Sequence, residues 1–210
     1  MLNLNPNVHA YYKAISNGHN TVEFQYDKKN SLYVPLFSSS IEQSYAIHLL
    51  LEKGLTNSAF ALARPMVEGY LRAMWVKNYL DESKVKEGCA QLHFPKNLDI
   101  LMSDIAKVLG KNDFFHTFKL TIEPILPNMH DFTHGGVQSV VRQYSSDGLL
   151  SNTRSPQERE QLLHLAVLTS YLSFKNLAPL MKNSDSIVVV SKKAKELMNL
   201  YQSVKPPLEI

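Results

Sequence analysis

The chain has 210 residues, of which 44% are hydrophobic and 20% charged, and its formal net charge is +3. This composition fits one globular domain with short appendages and excludes disorder of the whole chain. The only cysteine is Cys89, which excludes an internal disulfide framework and a zinc site built from several cysteines, so we expect no disulfide-linked partner.

The N-terminus has no basic stretch followed by an apolar core, and no apolar run is long enough to span a bilayer. We therefore expect a cytoplasmic protein without a membrane partner. Residues 1–37 are predicted to be an irregular N-terminal segment, in which residues 7–16 can form a short helix ended by Asn17-Gly18. Residues 21–26 (TVEFQY) alternate like a β-strand, and residues 187–190 (IVVV) are their predicted pairing partner.

Two long helices are predicted next. Three serines at positions 38–40 offer N-cap oxygens for a helix that ends at Gly54. A second helix is predicted over residues 57–80, where apolar residues recur every three or four positions. The short connection between them predicts that the two helices are antiparallel neighbours.

The second half of the chain predicts further helices. Pro95 opens one that stops at Gly110, and a short one covers residues 113–120. Ser155 and Glu158 form a capping box that opens a long, central helix to about Leu180. A last amphipathic helix is predicted over residues 192–203.

These elements predict an all-α fold, a helical bundle of four or more main helices with a long central helix in its C-terminal half. We predict three parts: the irregular segment 1–37, a bundle domain 38–182, and a C-terminal helix and tail 183–210.

The first candidate site is the run of residues 61–72 (ALARPMVEGYLR). Arg64 and Glu68 are four residues apart, so they share one helical face and can pair, and Arg72 extends the row. Their neighbours are apolar, and Pro65 can kink the helix beside them. The pair either ties helices together or forms part of a functional site.

The second candidate site is residues 130–136 (HDFTHGG). His130 and His134 have the spacing that places two imidazoles on one side of a helix, as in zinc-binding helices, with Asp131 or Glu68 as a further ligand. The alternative is structural: a histidine or Thr133 hydrogen-bonds a neighbouring turn, and Gly135-Gly136 form a C-terminal cap. We expect no cofactor.

Smaller features also have two interpretations. Tyr70, Trp75 and Tyr79 are at helical spacing, which is more often typical of a core than of a base-stacking platform. Three lysines at positions 192, 193 and 195 predict a solvated face or a phosphate contact.

The two candidate motifs together resemble a group of uncharacterised bacterial helical proteins that is itself similar to the HEPN superfamily (higher eukaryotes and prokaryotes nucleotide-binding). The resemblance covers residues 38–181. It implies a helical bundle that forms a homodimer and acts in RNA cleavage, nucleotide binding, phage defence or toxin–antitoxin systems. It carries over Arg64, Glu68 and His134 as positions of the shared pattern, and these are the predicted catalytic residues. Asp131, Thr133, Tyr70 and Arg72 are further candidates for the pocket. The Arg-x4-6-His motif of active HEPN ribonucleases is matched only by Arg159 and His164, without the polar neighbour.

Three functional hypotheses follow. The first is a HEPN-like protein that binds or processes RNA or nucleotides, in which Arg64 holds a phosphate, Glu68 orients Arg64 and His134 moves a proton. The second is a non-catalytic binding or scaffold protein whose Arg/Glu/His motif locks the bundle. The third is a metal-dependent hydrolase that uses His130 and His134.

Overall fold

The computed structural model describes residues 6–24, 27–81, 83, 94, 97–110, 113–123, 129, 131, 133, 136, 140, 144, 154–182 and 185–202. Over these residues the chain folds as an all-α bundle, as predicted. Its main helices are α1 (Pro6–His19), α2 (Asn30–Glu52), α3 (Thr56–Ala61), α4 (Ala63–Asn78), α5 (Leu98–Leu109), α6 (Asp113–Ile122), α7 (Pro156–Leu177), followed by a 3-10 turn (Ala178–Leu180), and α8 (Asp185–Gln202).

Helices α2 and α4 form the centre of the bundle and run antiparallel, as the sequence predicts. The hydroxyl of Ser40 on α2 donates to the carbonyl of Met66 near the start of α4 (2.9 Å). At the other end of the pair, the Nζ of Lys77 lies 5.7 Å from the ring centroid of Tyr33. Gly69 of α4 faces the backbone of α2 at this interface.

Helix α7 is central, as predicted. The hydroxyl of Ser44 on α2 donates to the carbonyl of Ala166 (2.7 Å). The hydroxyl of Tyr11 on α1 donates to the carbonyl of Val167 (3.0 Å). Helix α8 packs on α1 and α7, while α5 packs on α4 and α6 on α5. The long central helix is therefore covered on several sides, which explains why its sequence is apolar almost all round.

The N-terminal segment differs from the prediction of an irregular region. Helix α1 continues through Asn17 and Gly18 to His19, because Gly18 lies against Phe174 and its missing Cβ allows that contact. Helix α2 begins at Asn30, whose backbone N–H donates to the carboxylate of Asp27 (2.6 Å).

The predicted N-cap at the three serines is wrong, because these residues lie inside α2. Ser38 donates to the carbonyl of Val34 one turn earlier (2.9 Å), and Ser40 donates across to α4. These serine hydroxyls therefore donate hydrogen bonds to carbonyl groups, and they do not cap the start of a helix.

The predicted two-stranded pairing is also wrong. Val22 forms an isolated antiparallel bridge with Met181, and the adjacent Glu23 N–H donates to the carbonyl of Leu180 (2.8 Å). Residues 187–190 are helical and belong to α8. Val190 is buried at helical spacing with Ala194 and Leu197, so tertiary packing overrides the strand preference of the β-branched run.

Some other predicted helix boundaries are confirmed. Gly110 ends α5 as predicted, with a φ of +61°. The helix begins at Leu98, later than the predicted start at Pro95, because Asn97 caps it by accepting from the N–H of Asp99 (2.8 Å). Ser155 and Glu158 form the predicted capping box of α7. The last helix starts earlier than predicted, at Asp185. Most of residues 81–91 and much of 124–144 lie outside the described residues.

Within the described ranges, no helix combines the length and the hydropathy required to cross a membrane. The predicted division into three parts stays a prediction.

Candidate functional site

The predicted helix 57–80 is broken into α3 and α4 at Leu62, and Pro65 explains the break. A residue at position 65 would normally donate its N–H to the carbonyl of Ala61 four residues earlier, but proline has no N–H. The regular helical bonding resumes with Met66, whose N–H donates to the carbonyl of Leu62 (3.1 Å). Pro65 therefore lies in the first turn of α4, where proline is best tolerated, and Ala61 keeps an acceptor that α4 does not use.

Directly after this break, the predicted charged row is formed on α4. The Nε of Arg64 donates to Oε1 of Glu68 (2.8 Å), and the Nη2 of Arg72 lies 3.3 Å from Oε2 of the same carboxylate. The side chains of Arg64 and Glu68 are each 20% exposed and that of Arg72 is 34% exposed. One carboxylate thus holds two guanidinium groups at the edge of the bundle, and the row carries a net charge of +1.

Each arginine keeps hydrogen-bonding capacity. A guanidinium has five N–H groups, and Glu68 is the acceptor that Arg64 reaches among the described residues. The Nε of Arg72 is buried without a hydrogen-bond partner in that same part of the chain. The guanidinium of Arg72 also lies over the ring of Phe94, 5.4 Å from its centroid. The two cations are therefore positioned and only partly neutralised.

The second motif meets the first at the helix break. The hydroxyl of Thr133 donates to the carbonyl of Met129 (3.0 Å) and lies within 3.4 Å of the carbonyl of Ala61. This confirms the predicted back-bond from Thr133 to its own turn. It also places the segment around Thr133 beside the start of α4, one turn from Arg64.

The glycine end of the second motif packs on its own segment. The N–H of Gly136 donates to the carbonyl of Asp131 (2.7 Å), and a Cβ at Gly136 would lie 2.6 Å from Cγ of Asp131. Gly136 therefore closes the turn in the manner of a C-terminal cap. His130, His134 and Gly135 lie outside the described residues, so their predicted roles stay predictions.

Tyr70 lies on the opposite side of α4 from the charged row. It is 2% exposed and packs against Phe118, with ring centroids 4.7 Å apart. Burial raises the pKa of its hydroxyl well above the ordinary value. These contacts place Tyr70 in the core between α4 and α6.

A metal site would need a cluster of ligands. Within the described ranges, no group of three histidine, cysteine, aspartate or glutamate side chains is placed to hold a metal ion. The carboxylate of Glu68, a candidate ligand, is instead engaged by two arginines. The proposed ligands His130 and His134 are not among the residues described.

The HEPN-like spacing of Arg159 and His164 is found on α7. Burial lowers the pKa of His164, and the Nε of Arg159 is buried without a hydrogen-bond partner among the described residues.

Arg154 contacts α3 and was not among the residues predicted from the sequence. Its side chain is buried, its guanidinium carbon lies 3.7 Å from the ring centroid of Phe60, and its Nε is 3.4 Å from Oδ1 of Asn57. Helix α3 is therefore contacted near its start by Arg154 and at its end by Thr133. No local pattern around position 154 indicates this contact, because its partners are about a hundred residues away in sequence.

Comparisons with known proteins identify a family but not a function. The model of a family of unknown function, DUF6988, matches residues 37–203, a range that contains both motifs. No curated protein and no solved structure matches the chain.

Proposed function

We propose that this chain, which belongs to the family of unknown function DUF6988, binds the phosphate groups of RNA or of nucleotides through Arg64 and Arg72. The supporting observation is the shared carboxylate of Glu68, which holds both guanidinium groups on one partly exposed face of α4. A guanidinium offers parallel N–H groups that match two phosphate oxygens. Glu68 then acts as the residue that positions the two cations.

The location of the row supports the same proposal. The break at Leu62 and the bond between Thr133 and Ala61 bring the second motif beside Arg64. The HEPN resemblance assigns this neighbourhood to RNA or nucleotides and gives His134 the role of acid or base. Binding needs only the two arginines, whereas RNA cleavage also needs His134 to move a proton.

Binding is tested by titrating the purified protein with a fluorescent single-stranded RNA and with a nucleoside triphosphate. The expected result is salt-dependent binding that weakens in Arg64→Gln and Arg72→Gln, with a salt slope lower by about 1 in each variant. The matched control is Lys119→Gln, because Lys119 forms a pair of the same i,i+4 spacing with Glu123 on α6 (3.4 Å). Equal affinities of wild type and Arg64→Gln would contradict the proposal.

The same mixtures, resolved on a gel, test RNA cleavage. Loss of full-length RNA with wild type but not with His134→Ala is the result expected of a HEPN-like ribonuclease. Intact RNA in all samples that bind would restrict the function to binding.

The second candidate function is a non-catalytic scaffold in which the motif locks the bundle. The observation that favours it is the mutual satisfaction of the polar groups, with Glu68 shared by two arginines and Thr133 bonded to Ala61. It predicts that Arg64→Gln lowers the melting temperature by several degrees and that wild type binds no RNA. A melting temperature unchanged in Arg64→Gln contradicts the lock.

A further inference from the structure

The face of α4 that carries the charged row continues as an aromatic surface. Trp75 and Tyr79 follow Arg72 at helical spacing, and their ring centroids are 5.7 Å apart. Phe94 lies beside both parts of the face, since its ring is 6.2 Å from that of Trp75 and contacts the guanidinium of Arg72. The cations and the rings therefore form one continuous surface.

The rings on this face differ in exposure. Trp75 is 8% exposed, whereas Tyr79 is 42% exposed and Phe94 is half-buried. The indole N–H of Trp75 donates to Oδ2 of Asp104 on α5 (3.3 Å), which fixes the ring as a backing for Tyr79. A large aromatic ring left in water beside a fixed aromatic neighbour is suited to stacking with a flat ligand.

A third cation lies at the far end of this face. The Nζ of Lys107 on α5 is 3.0 Å from Oδ1 of Asp104, and its side chain is 65% exposed. The pKa of Lys107 is raised, first by its hydrogen bond and charge attraction to Asp104 and to a smaller extent by Tyr79. Asp104 therefore bonds both the indole of Trp75 and the ammonium of Lys107, which places Lys107 next to the rings.

We propose that Arg64, Arg72, Phe94, Tyr79 and Lys107 form a tract that binds one strand of single-stranded RNA. The arginines and Lys107 contact phosphates, and Tyr79 stacks on a base. Along α4 the tract extends about 22 Å from Arg64 to Tyr79, at the rise of 1.5 Å per residue of an α-helix. This inference rests on the proposed function and adds the class of RNA that is bound.

Charge and shape favour a single strand as the occupant. Among the described residues, Glu68 and Asp104 are the acidic groups paired with the cations of the tract, and the three cations exceed these two carboxylates by one charge. The alternation of cations and an exposed ring matches a chain in which phosphates alternate with flat bases. Bases inside a duplex are already stacked and cannot cover Tyr79.

The experiment compares wild type, Tyr79→Ala, Tyr79→Phe and Arg64→Gln for binding to a single-stranded RNA 12-mer and to its duplex. We expect Tyr79→Ala to weaken binding of the single strand about tenfold, the scale of one lost stacking contact, and Tyr79→Phe to retain it. Binding of the duplex should not change in either Tyr79 variant. Because the chain has one tryptophan, which lies against Tyr79, its fluorescence should also change when the single strand binds.

Two outcomes separate the tract from the function on which it rests. If Tyr79→Ala binds the single strand as wild type does while Arg64→Gln binds weakly, the stacking tract is refuted and the phosphate site stands. If wild type binds neither RNA, the tract is refuted, and the proposed function fails with it only if the nucleoside triphosphate is not bound either. The proposed RNA tract would also be refuted if poly-glutamate competed as strongly as the RNA, because the site would then bind any polyanion. The melting temperature of Tyr79→Ala is measured alongside, and its exposed position predicts no change.

Discussion

The hydroxyl of Thr133 reaches the carbonyl of Ala61, 3.4 Å away, at the one point where α3 gives way to α4. Pro65 makes this carbonyl accessible, because it lacks the N–H that would otherwise bond to it. The proline of the first motif and the threonine of the second thus serve a single contact. The two motifs singled out in the sequence are parts of one structural unit.

Replacing Thr133 by valine tests this contact. Thr133→Val removes the hydroxyl but keeps the shape, so the carbonyls of Ala61 and Met129 lose a donor and the free energy of unfolding should fall by about 1 kcal/mol. Thr133→Ser retains the hydroxyl and is the matched control. Urea unfolding of the three proteins measures the difference, and equal midpoints for valine and wild type would show that the contact contributes nothing.

Glu68 should contribute to stability through both of its arginines. Glu68→Gln removes the charge that Arg64 and Arg72 share and leaves two cations eight residues apart on one face. The pairs are partly exposed, so the expected loss in the free energy of unfolding is about 0.5–1 kcal/mol at low salt.

Salt distinguishes this effect from a packing defect. In 1 M NaCl the Debye length is about 3 Å, so most of the difference between Glu68→Gln and wild type should disappear. Glu123→Gln on α6 is the control, because Glu123 pairs with the single cation Lys119. A loss for Glu68→Gln that is equally large in high salt would contradict an electrostatic origin.

Two helical glycines predict opposite responses to alanine. A Cβ at Gly18 would lie 2.5 Å from Cζ of Phe174, so Gly18→Ala must displace a buried ring and should cost about 1–3 kcal/mol. At Gly69 the nearest atom is the carbonyl oxygen of Leu36 at 3.5 Å, an ordinary contact. Gly69→Ala should therefore gain up to about 1 kcal/mol from helix propensity. Thermal melting of both variants tests these two predictions. A lower melting temperature for Gly69→Ala would mean that α2 and α4 are packed more closely than the distances indicate.

Elements of the fold that depend on local chemistry were predictable from the sequence. Gly110 marks the end of α5 through its positive φ, and Ser155 with Glu158 marks the start of α7 through hydrogen bonds within one turn. The start of α2 was not predictable in this way, because the serine run has the composition of a cap but bonds to Val34 and to α4. Residues 187–190 likewise became helical because the bundle buries Val190.

The contacts of the candidate site were likewise predictable from the sequence only where they are local. The bonds of Glu68 follow from spacing along one helix, so the sequence predicted them. The contacts of Phe94, Lys107 and Arg154 connect distant parts of the chain, and nothing in their local sequence specifies a partner. The aromatic tract was therefore visible only as a spacing of Trp75 and Tyr79, which is equally typical of a core.

The buried His48 should make the protein less stable in acid. Its side chain is fully buried against the rings of Tyr12 (5.5 Å) and Tyr45 (6.2 Å), which also contact each other (5.2 Å). Neither ring nitrogen of His48 has a hydrogen-bond partner among the described residues. Burial lowers its pKa below the ordinary value of 6.5, and His9 lowers it further, while Glu52, 3.5 Å away, opposes the shift.

The sign of the pH effect follows from this lowered pKa. Below pH 6.5 the unfolded chain binds a proton at position 48 that the folded protein does not, so the free energy of unfolding falls as the pH drops from 6.5 toward the folded-state pKa. One histidine can contribute a slope of at most about 1.4 kcal/mol per pH unit. Burial also lowers the pKa values of His19 and His164, and these act in the same direction.

His48→Phe isolates the contribution of this residue. Phenylalanine keeps a flat ring in contact with the two tyrosines and cannot bind a proton, so the unfolding free energy of the variant should depend less steeply on pH between 7 and 5. A residual slope is expected from His19 and His164. His116→Gln, at an exposed position, is the control and should follow the wild-type curve. If His48→Phe also retains the full wild-type slope in urea titrations at several pH values, His48 is not the group that couples acid to unfolding.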